Sequence, residues 1–296
     1  MTETAARWST VAHQEQPETK VRLRFPRLFW LGLVILLLYG IIGLFAPVLA
    51  PHDPAAFDGK PLEYPSANHL LGTNDIGQDL LSEIIFGARV SLLVGITASA
   101  VSVVIATLLA TIAAYMGGWI DAALMRVTDL LIIIPRLPLM ILLAAYAGAS
   151  LATTILVIGL LGWPQLARVV RAQVLSLRRR PHVNAARLFG ASAPYVIRRH
   201  LIPALLPILA AGFVTHAGHA AMMEAGLAFL GLGDPTMKSW GLTIRYALNV
   251  KGFFFGDQWL WWILPAGFNL AMLLMAFAFV GIGLEAVANP RIRRHR

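Results

Sequence analysis

The segment PHVNAARLFGASAPYVIRRHLIP, residues 181–203, separates two long apolar stretches and is itself basic and amphipathic. A short polar turn is enough to join two membrane helices, so a connection of this size and charge indicates a surface that binds a partner. Pro181 favours a helix start, and the Ala-Ala-Arg run after it favours continuation. Gly190 permits a bend, and Pro194 disfavours extending the same helix. The sequence therefore predicts a short helix along the inner membrane face, followed by a turn into the next span.

Two uses of this segment stay open from the residues alone. A short rigid helix with small side chains can bind in a groove of a soluble protein. An amphipathic connector can instead lie on the membrane, with its arginines on lipid headgroups. The spacing of Ala185, Ala186 and Gly190 favours binding in a groove.

The composition around this segment is that of a membrane protein. Hydrophobic residues make up 58% of the 296 residues and charged residues only 13%, unlike a soluble domain. Several apolar runs exceed the roughly 20 residues that a helix needs to cross the hydrocarbon core. We therefore predict an all-α polytopic membrane protein. Its six spans are placed at 28–50, 89–116, 122–148, 151–172, 200–230 and 259–286.

The basic residues predict the orientation of these spans. They concentrate in the N-terminal tail, between Arg168 and Arg199, and in residues 291–296. By the positive-inside rule these segments face the cytoplasm. The net charge of +9 then reflects topology and anionic lipid headgroups rather than nucleic-acid binding. The opposite side receives few basic residues: Lys60, Arg89, Lys238, Arg245 and Lys251.

The chain divides into four parts on this scheme: a cytoplasmic tail at 1–27, a first span with an extracytoplasmic loop at 28–88, a core at 89–286 that contains the binding segment 181–199, and a basic cytoplasmic tail at 287–296. The extracytoplasmic loop is locally acidic, and Thr73 or Asn74 is predicted to cap a helix that leads into the second span. That helix either lies on the membrane surface or contacts a soluble protein or a second membrane subunit.

Ionisable residues within the spans are candidates for a translocation path, because burying charge in lipid is costly. Arg136 lies within the third predicted span, between two prolines. It either attracts an anionic group of a solute or pairs with an acidic group on a partner subunit. Nearer the inner surface, Arg126 and Asp129 are three residues apart and predict an ion pair on one helix face.

The fifth span carries a second polar stripe. His216, His219 and Met223 fall at i, i+3 and i+7, so they share one helix face, and Glu224 lies beside them. Imidazole and thioether groups can bind a metal or line a polar path. Two spaced histidines are more often helix-packing residues, which is the interpretation we favour. Glu224 is assigned to gating or structure ahead of metal binding.

The chain lacks the residues of an energy-coupling enzyme. The phosphate-binding Gly-x-x-x-x-Gly-Lys-Ser/Thr pattern is absent, as are an HExxH motif and cysteine. We therefore assign no catalytic, cofactor or metal site to the chain, and energy must come from a partner or from an ion gradient.

Four ordered motifs carry a resemblance to a known family. They are HLLGTNDIGQDLLSEIIFGARVSLLVG at 69–95, GGWIDAALMRVTDLLIIIP at 117–135, NAARLFGASAPYVIRRHLIP at 184–203 and EAGLAFLGLG at 224–233. Together they resemble the second of the two related permease subunits of dipeptide, oligopeptide and nickel ABC importers. The resemblance implies a six-helix type I importer fold in a bacterial or archaeal cytoplasmic membrane, with both termini in the cytoplasm.

The resemblance also implies partners and roles. A homologous permease, two cytoplasmic ATPases that bind Mg-ATP, and an extracytoplasmic binding protein would complete an importer of peptides or a similar hydrophilic solute, with nickel or a metal chelate possible. The residues expected to couple to the ATPases are Asn184, Ala185, Ala186, Arg187, Gly190, Ala191 and Pro203. The alternative function is a gradient-driven secondary transporter with His216, His219 and Glu224 as a proton relay.

The sequence departs from the family pattern at three positions and in its C-terminal segment GIGLEAVANPR, residues 281–291, which lacks the Asp and Arg common there. Asn184 stands where the family usually has Glu, which removes one expected polar contact with the ATPase. Gln78 stands where it usually has Arg, and Glu83 where it often has Arg. These departures indicate a divergent subgroup.

Overall fold

A computed structural model describes residues 25–288, and its regular elements there are helices. Most of the predicted tails at 1–27 and 287–296 lies outside the described residues. The helices are α1 Arg27–Leu44, α2 Ala46–Leu49, α3 Leu80–Met116, α4 Gly118–Ile133, α5 Arg136–Ala147, α6 Leu151–Leu177, α7 Pro181–Leu188, α8 Ala193–Val196, α9 Ile202–Phe229, α10 Trp240–Asn249, α11 Gln258–Trp261 and α12 Ile263–Ala288. A π-helical turn, Ile197–Leu201, joins α8 to α9, and a 3₁₀ turn, Phe253–Phe255, precedes α11.

Five helical segments are long and apolar enough to cross a membrane, and a bent pair supplies a sixth. The prediction of an all-α polytopic membrane protein is confirmed. The five are α1, α3, α6, the run from α8 through α9, and the run from α11 into α12. α2 occupies the last residues of the first predicted span.

The third predicted span is not one helix. Residues 122–148 fall in α4 and α5, which meet at an angle of 88°. Ile134 adopts an extended conformation, which is what the residue before a proline favours, and Pro135 has no N–H to continue the α4 hydrogen-bond ladder. Arg136 therefore begins α5 at the bend instead of lying in the middle of a helix.

The second predicted span begins nine residues too late. α3 runs without interruption for 37 residues from Leu80, and the segment 80–88 is its first two turns rather than a separate surface helix. Asp79 is the N-cap and accepts a hydrogen bond from the Ser82 backbone N–H, so the predicted caps Thr73 and Asn74 are wrong.

α3 is the central helix of the bundle and packs against α6 and α9. A stripe of small residues makes the close approach possible, since their side chains leave room for the neighbouring backbone. Ser102 in this stripe donates a hydrogen bond of 2.8 Å to the Gly159 carbonyl of α6. The stripe consists of Ala98, Ser102, Ala106, Ala110 and Ala114, all buried.

The two ends of α3 belong to two different regions. Its C-terminal end lies beside the connection from α6 to α9, because Arg178 Nη1 donates to the carbonyls of Ala114 and Tyr115. Its N-terminal end lies beside the loop 50–79 and α10, because Trp240 Nε1 donates to the Ile84 carbonyl. We call these the 181–203 end and the loop end.

Candidate functional site

The 181–203 segment folds as predicted into a short helix, a turn and a second helix start. Pro181 is the first residue of α7. The helix ends at Leu188, and Gly190 follows with φ of +82°, a left-handed conformation that glycine adopts without a Cβ penalty. Backbone hydrogen bonds from Gly190 and Ala191 back to α7 close this turn.

The tip of the turn exposes two large apolar side chains. Leu188 is 87% exposed and Phe189 is 91% exposed, whereas Val183 on the other face of α7 is buried. A Cβ placed on Gly190 would meet no atom within 4 Å, so the tip projects into open space. We call Leu188, Phe189 and Gly190 the exposed tip.

The base of the segment is held in the bundle by apolar contacts. Val183, Val196, Leu201 and Leu205 are buried in one cluster with residues of α3 and α6. Arg187 adds a cation–π contact, its guanidinium carbon 5.7 Å from the centre of the Tyr115 ring. We call the buried residues the anchor cluster; from α3 and α6 it includes Ala106, Ala110, Ala114, Trp163, Leu166, Ala167, Val170, Val174 and Leu177.

The residues predicted to couple to an ATPase surround the exposed tip. Asn184 and Arg187 are exposed on α7, Ala185 and Ala186 are half-buried beneath them, and Ala191 is half-buried in the turn. Pro203 lies beyond the turn, near the start of α9. The sequence analysis missed Leu188 and Phe189, although two large apolar residues before a turn glycine in a polar stretch are a recognisable signal of an exposed contact.

Two of the candidates for the translocation path, His216 and Arg136, line neighbouring cavities. His216 lines a cavity of about 320 Å³ between α6, α9 and α12, together with polar residues Gln165, Gln173, Thr215 and Glu285. Arg136 lines a second cavity of about 130 Å³ between α4, α5 and α6, and Gln165 borders both. The rings of His216 and His219 have centroids 6.3 Å apart. The structure thus groups Arg136 and His216 around α6.

Met223 and Glu224 have other surroundings. Met223 packs against an apolar cluster that includes Val90 and Met140. Glu224 is buried and accepts a hydrogen bond of 3.2 Å from Ser91 of α3. Glu224 follows His219 by five positions, which is about 140° around a helix, so the two side chains leave α9 in different directions.

Ion pairs join α4 to α6 near the 181–203 end. Asp129 pairs with Arg168 rather than with Arg126, so the predicted pair on one helix face is wrong. Arg171 donates two hydrogen bonds of 2.6 Å to the carboxylate of Asp121. Bidentate guanidinium–carboxylate pairs fix orientation as well as distance. Asp129 makes a single contact with Arg168 of the neighbouring helix instead of pairing along its own helix.

A buried polar network closes the loop end. Lys238 Nζ lies 2.8 Å from Glu83 Oε1 and 2.6 Å from Gln78 Oε1. The Asn74 amide donates to the same two oxygens, and Thr243 of α10 donates to the other carboxylate oxygen. We call these five residues the loop network. It joins the loop 50–79, the start of α3 and α10, and Lys238 supplies its positive charge.

Asp234, between α9 and α10, adds a smaller polar contact at the loop end. Its carboxylate accepts hydrogen bonds from the Thr236 hydroxyl and backbone N–H and from the Leu151 N–H at the start of α6. The Thr236 hydroxyl contributes most, and these bonds hold the pKa of Asp234 below its usual value.

Comparison with known proteins places this architecture in a family. Residues 102–294 match the binding-protein-dependent transport system inner membrane component, and residues 20–70 match the N-terminal transmembrane domain of oligopeptide transport permease C. A Brucella suis biovar 1 protein with a provisional peptide-permease name is 36% identical over 265 residues, which are 88% of this chain and 86% of that protein.

Two relatives from Bacillus subtilis carry definite names. The dipeptide transport system permease protein DppC is 32% identical over 275 residues, covering 92% of this chain and 85% of its own length. The oligopeptide transport system permease protein OppC is 30% identical over 282 residues, covering 94% and 90%. With a family match over most of the chain and relatives of similar length, this chain belongs to the binding-protein-dependent transport system inner membrane components.

Proposed function

We propose that this chain is the permease subunit of an ATP-driven importer of peptides, and that a cytoplasmic ATPase binds its exposed tip. The observation that carries the proposal is the combination of two almost fully exposed apolar side chains, Leu188 and Phe189, with a base buried in the bundle. Apolar side chains that project into water at a rigid turn are typical of contacts that a partner covers.

The anchor cluster supports a mechanical role for this contact. Val183 of α7 and Val196 of α8 are buried with residues of α3, α6 and α9. Because close-packed apolar groups transmit displacement to one another, a force on the exposed tip acts directly on three spanning helices. ATP hydrolysis, with its Mg-ATP, belongs to the partner, and a change in its shape would rearrange the spans.

The path itself requires a second subunit. Gln165, Gln173 and Glu285 are exposed on the bundle at the cavity that His216 lines. Polar groups facing lipid are costly, so a homologous permease covers this side and the path runs between the two subunits. Arg136, at the neighbouring cavity, attracts the carboxylate of a peptide or pairs with an acidic group across the interface.

The orientation of the complete importer follows from the distribution of basic residues. The 181–203 end carries the arginines of α7 and the following turn, so it faces the cytoplasm of a bacterial or archaeal inner membrane together with both termini. The loop end then faces outward, where an extracytoplasmic binding protein delivers the solute. Peptides are the solutes named for the Bacillus subtilis relatives.

The secondary-transporter alternative is less well supported by the geometry. A proton relay needs Glu224 near the two histidines. Glu224 is instead buried against Ser91 of α3, in a different direction from His219. Uptake into vesicles separates the two functions: an importer continues on ATP with the proton gradient collapsed, whereas a secondary transporter stops.

The exposed tip is tested by replacing Leu188 and Phe189 with serine. We expect the double variant to lose roughly 2 kcal/mol or more of binding to the ATPase, about 30-fold, because buried aromatic anchors dominate interfaces. The measurement is co-purification of the ATPase subunits, with ATP-driven uptake in proteoliposomes.

The matched control is Phe255→Ser at the loop end, since Phe255 is 98% exposed. It should leave ATPase binding unchanged. If the tip variant keeps full ATPase binding and uptake, the docking assignment is wrong.

A further inference from the structure

Three side chains that can bind a metal ion meet in the loop before α3. Within residues 25–288, His52, His69 and Asp79 each offer one ligand atom, and these three atoms lie within 4.8 Å of one another. The carboxylate oxygen is 3.0 Å from the His69 nitrogen and 3.8 Å from the His52 nitrogen. We propose that His52, His69 and Asp79 form a binding site for a divalent transition metal ion of the zinc type.

The carboxylate is oriented by contacts outside the site. Asp79 is fully buried, and its Oδ2 accepts hydrogen bonds from the Ser82 backbone N–H at 2.8 Å and the Ser82 hydroxyl at 2.7 Å. Oδ1 is thereby left facing the two imidazole rings. Ser82 Oγ also accepts from the His52 backbone N–H at 3.1 Å, so one serine positions two of the three ligands. Such outer contacts typically fix the geometry of metal ligands.

His52 turns a common histidine–carboxylate pair into a three-ligand cluster. His69 and Asp79 alone would be an ordinary buried hydrogen bond. The Nδ1 of His52, however, is shielded from solvent and has no hydrogen-bond partner. A buried polar atom without a partner is unfavourable, and a metal ion bound beside Asp79 would satisfy it.

The chemistry of the ligands selects the class of ion. Two imidazole nitrogens and one carboxylate oxygen suit Zn²⁺ and its neighbours in the transition series, whereas Ca²⁺ and Mg²⁺ prefer shells of oxygen. Three protein ligands leave a fourth position for water or an incoming group. His52 also lines a cavity of about 490 Å³ with Asp53 and Phe86.

The position in the fold gives the ion a structural consequence. His52 follows α2, His69 lies in the loop, and Asp79 is the N-cap of α3. A bound ion would tie the end of the first span to the start of the second. The site is independent of the exposed tip, so its failure would leave the proposed function untouched.

Zinc titration of the full chain in lipid nanodiscs, after removal of metal with a chelator, tests the site. A competing chromophoric chelator reports affinity, and we expect one tightly bound Zn²⁺ per chain and a zinc-dependent rise in melting temperature. His52→Gln keeps the His69–Asp79 pair and the backbone bond to Ser82. It should weaken zinc binding by about 100-fold or more, since loss of an outer contact alone costs about 10–100-fold.

His200→Gln is the matched control, because His200 and His182 form a histidine pair at the other end with ring centroids 5.9 Å apart. It should bind zinc as the parent chain does. X-ray absorption of the zinc-loaded parent chain gives a readout without any variant: imidazole nitrogens at about 2.0–2.1 Å are expected. Equal affinity in the parent chain and His52→Gln, loss of binding in His200→Gln instead, or a zinc shell without imidazole would each overturn the proposal.

Discussion

The two ends of the bundle are stabilised by different interactions. At the 181–203 end, α7 and α8 are attached through the alkyl side chains of the anchor cluster, and the side chains of Leu188 and Phe189 at the exposed tip are almost fully exposed. At the loop end, a buried carboxylate and two buried amides share the loop network with the partly buried ammonium group of Lys238. The attachment at the 181–203 end is therefore apolar, whereas the loop end adds a polar network to buried apolar residues such as Leu80 and Trp262.

The difference indicates which end can move. Apolar contacts are non-directional, so packed alkyl groups that shift slightly keep most of the free energy gained from their burial. A buried hydrogen-bonded ion pair is satisfied in one arrangement, and other arrangements leave unpaired charge. The 181–203 end is therefore suited to follow a moving partner, and the loop end is suited to hold the start of α3 in place.

The largest effect on the stability of the loop end is expected from Lys238→Met. It leaves the Glu83 carboxylate, which is 1% exposed, without its counter-charge. We expect a loss of about 3–5 kcal/mol of stability at the loop end, because an uncompensated buried charge is the costly case. Thermal unfolding in detergent and protease cleavage within the loop 50–79 measure it.

The control for this change removes both charges. Lys238→Met combined with Glu83→Gln should recover much of the loss, since no charge is then left unpaired. If Lys238→Met alone melts like the parent chain, the loop end is not held by its charges and the contrast fails.

A smaller effect is expected from Val183→Ala, which shortens a buried side chain of the anchor cluster. The lost contacts and the residual cavity correspond to about 2 kcal/mol. Stimulation of the partner's ATPase activity should then be retained, because the exposed tip still binds the ATPase. Uptake per ATP should fall, because the packing between α7 and the anchor cluster is weakened. Val34→Ala, at an exposed position of α1, is the control. If uptake per ATP is unchanged in Val183→Ala, the anchor cluster does not transmit force from the exposed tip to the spans.

Gly190→Ala isolates the conformation of the exposed tip. The glycine has φ of +82°, and an added Cβ meets no neighbouring atom, so the cost is backbone strain alone. We expect a loss of about 1–2 kcal/mol in the tip, with the melting temperature of the bundle unchanged. Hydrogen exchange of α7 amides measures the loss. Gly190→Pro should destabilise the exposed tip more than Gly190→Ala does, because proline is fixed near φ of −65°. Equal exchange in Gly190→Ala and the parent chain would contradict the assigned turn.

The smallest effect concerns pH at the loop end. The folded-state pKa of Asp234 lies below its unfolded value of about 3.9, so its hydrogen bonds stabilise the fold above that pH and the contribution disappears as pH falls through the folded pKa. Asp234→Asn should lower the melting temperature slightly at pH 7, and the difference from the parent chain should shrink as the pH falls through the folded-state pKa of Asp234. A difference that grows on acidification would contradict this sign.

The sequence predicted the spans well and their ends poorly. Hydropathy determines which residues enter the membrane, but the start of α3 depends on Lys238, which neutralises Glu83 from 155 positions away. Without that partner, the carboxylate at position 83 favoured a separate amphipathic helix before the span over the first turns of the span itself. The break before Arg136 was predictable, because a residue before proline disfavours the helical conformation.

The candidate site was predicted in part for a similar reason. Local signals, namely Pro181, the alanine pair and Gly190, gave the α7 turn correctly. Helix periodicity placed His216 and Glu224 near each other along α9, yet their surroundings are set by α3 and α6, which a single-helix pattern does not contain. The three ligands of the proposed zinc site are spread over residues 52–79 without a motif, so only the folded loop brings them together.

The uninterrupted α3 has a consequence for signalling across the bilayer. At 37 residues it is about 55 Å long, well beyond the hydrocarbon thickness of roughly 30 Å. One stiff rod thus reaches from the capping carboxylate at Asp79 to the alanines beside α7. In the importer proposed above, an axial displacement of one terminus of this helix would also displace the other, so α3 itself would link the outward and inward faces.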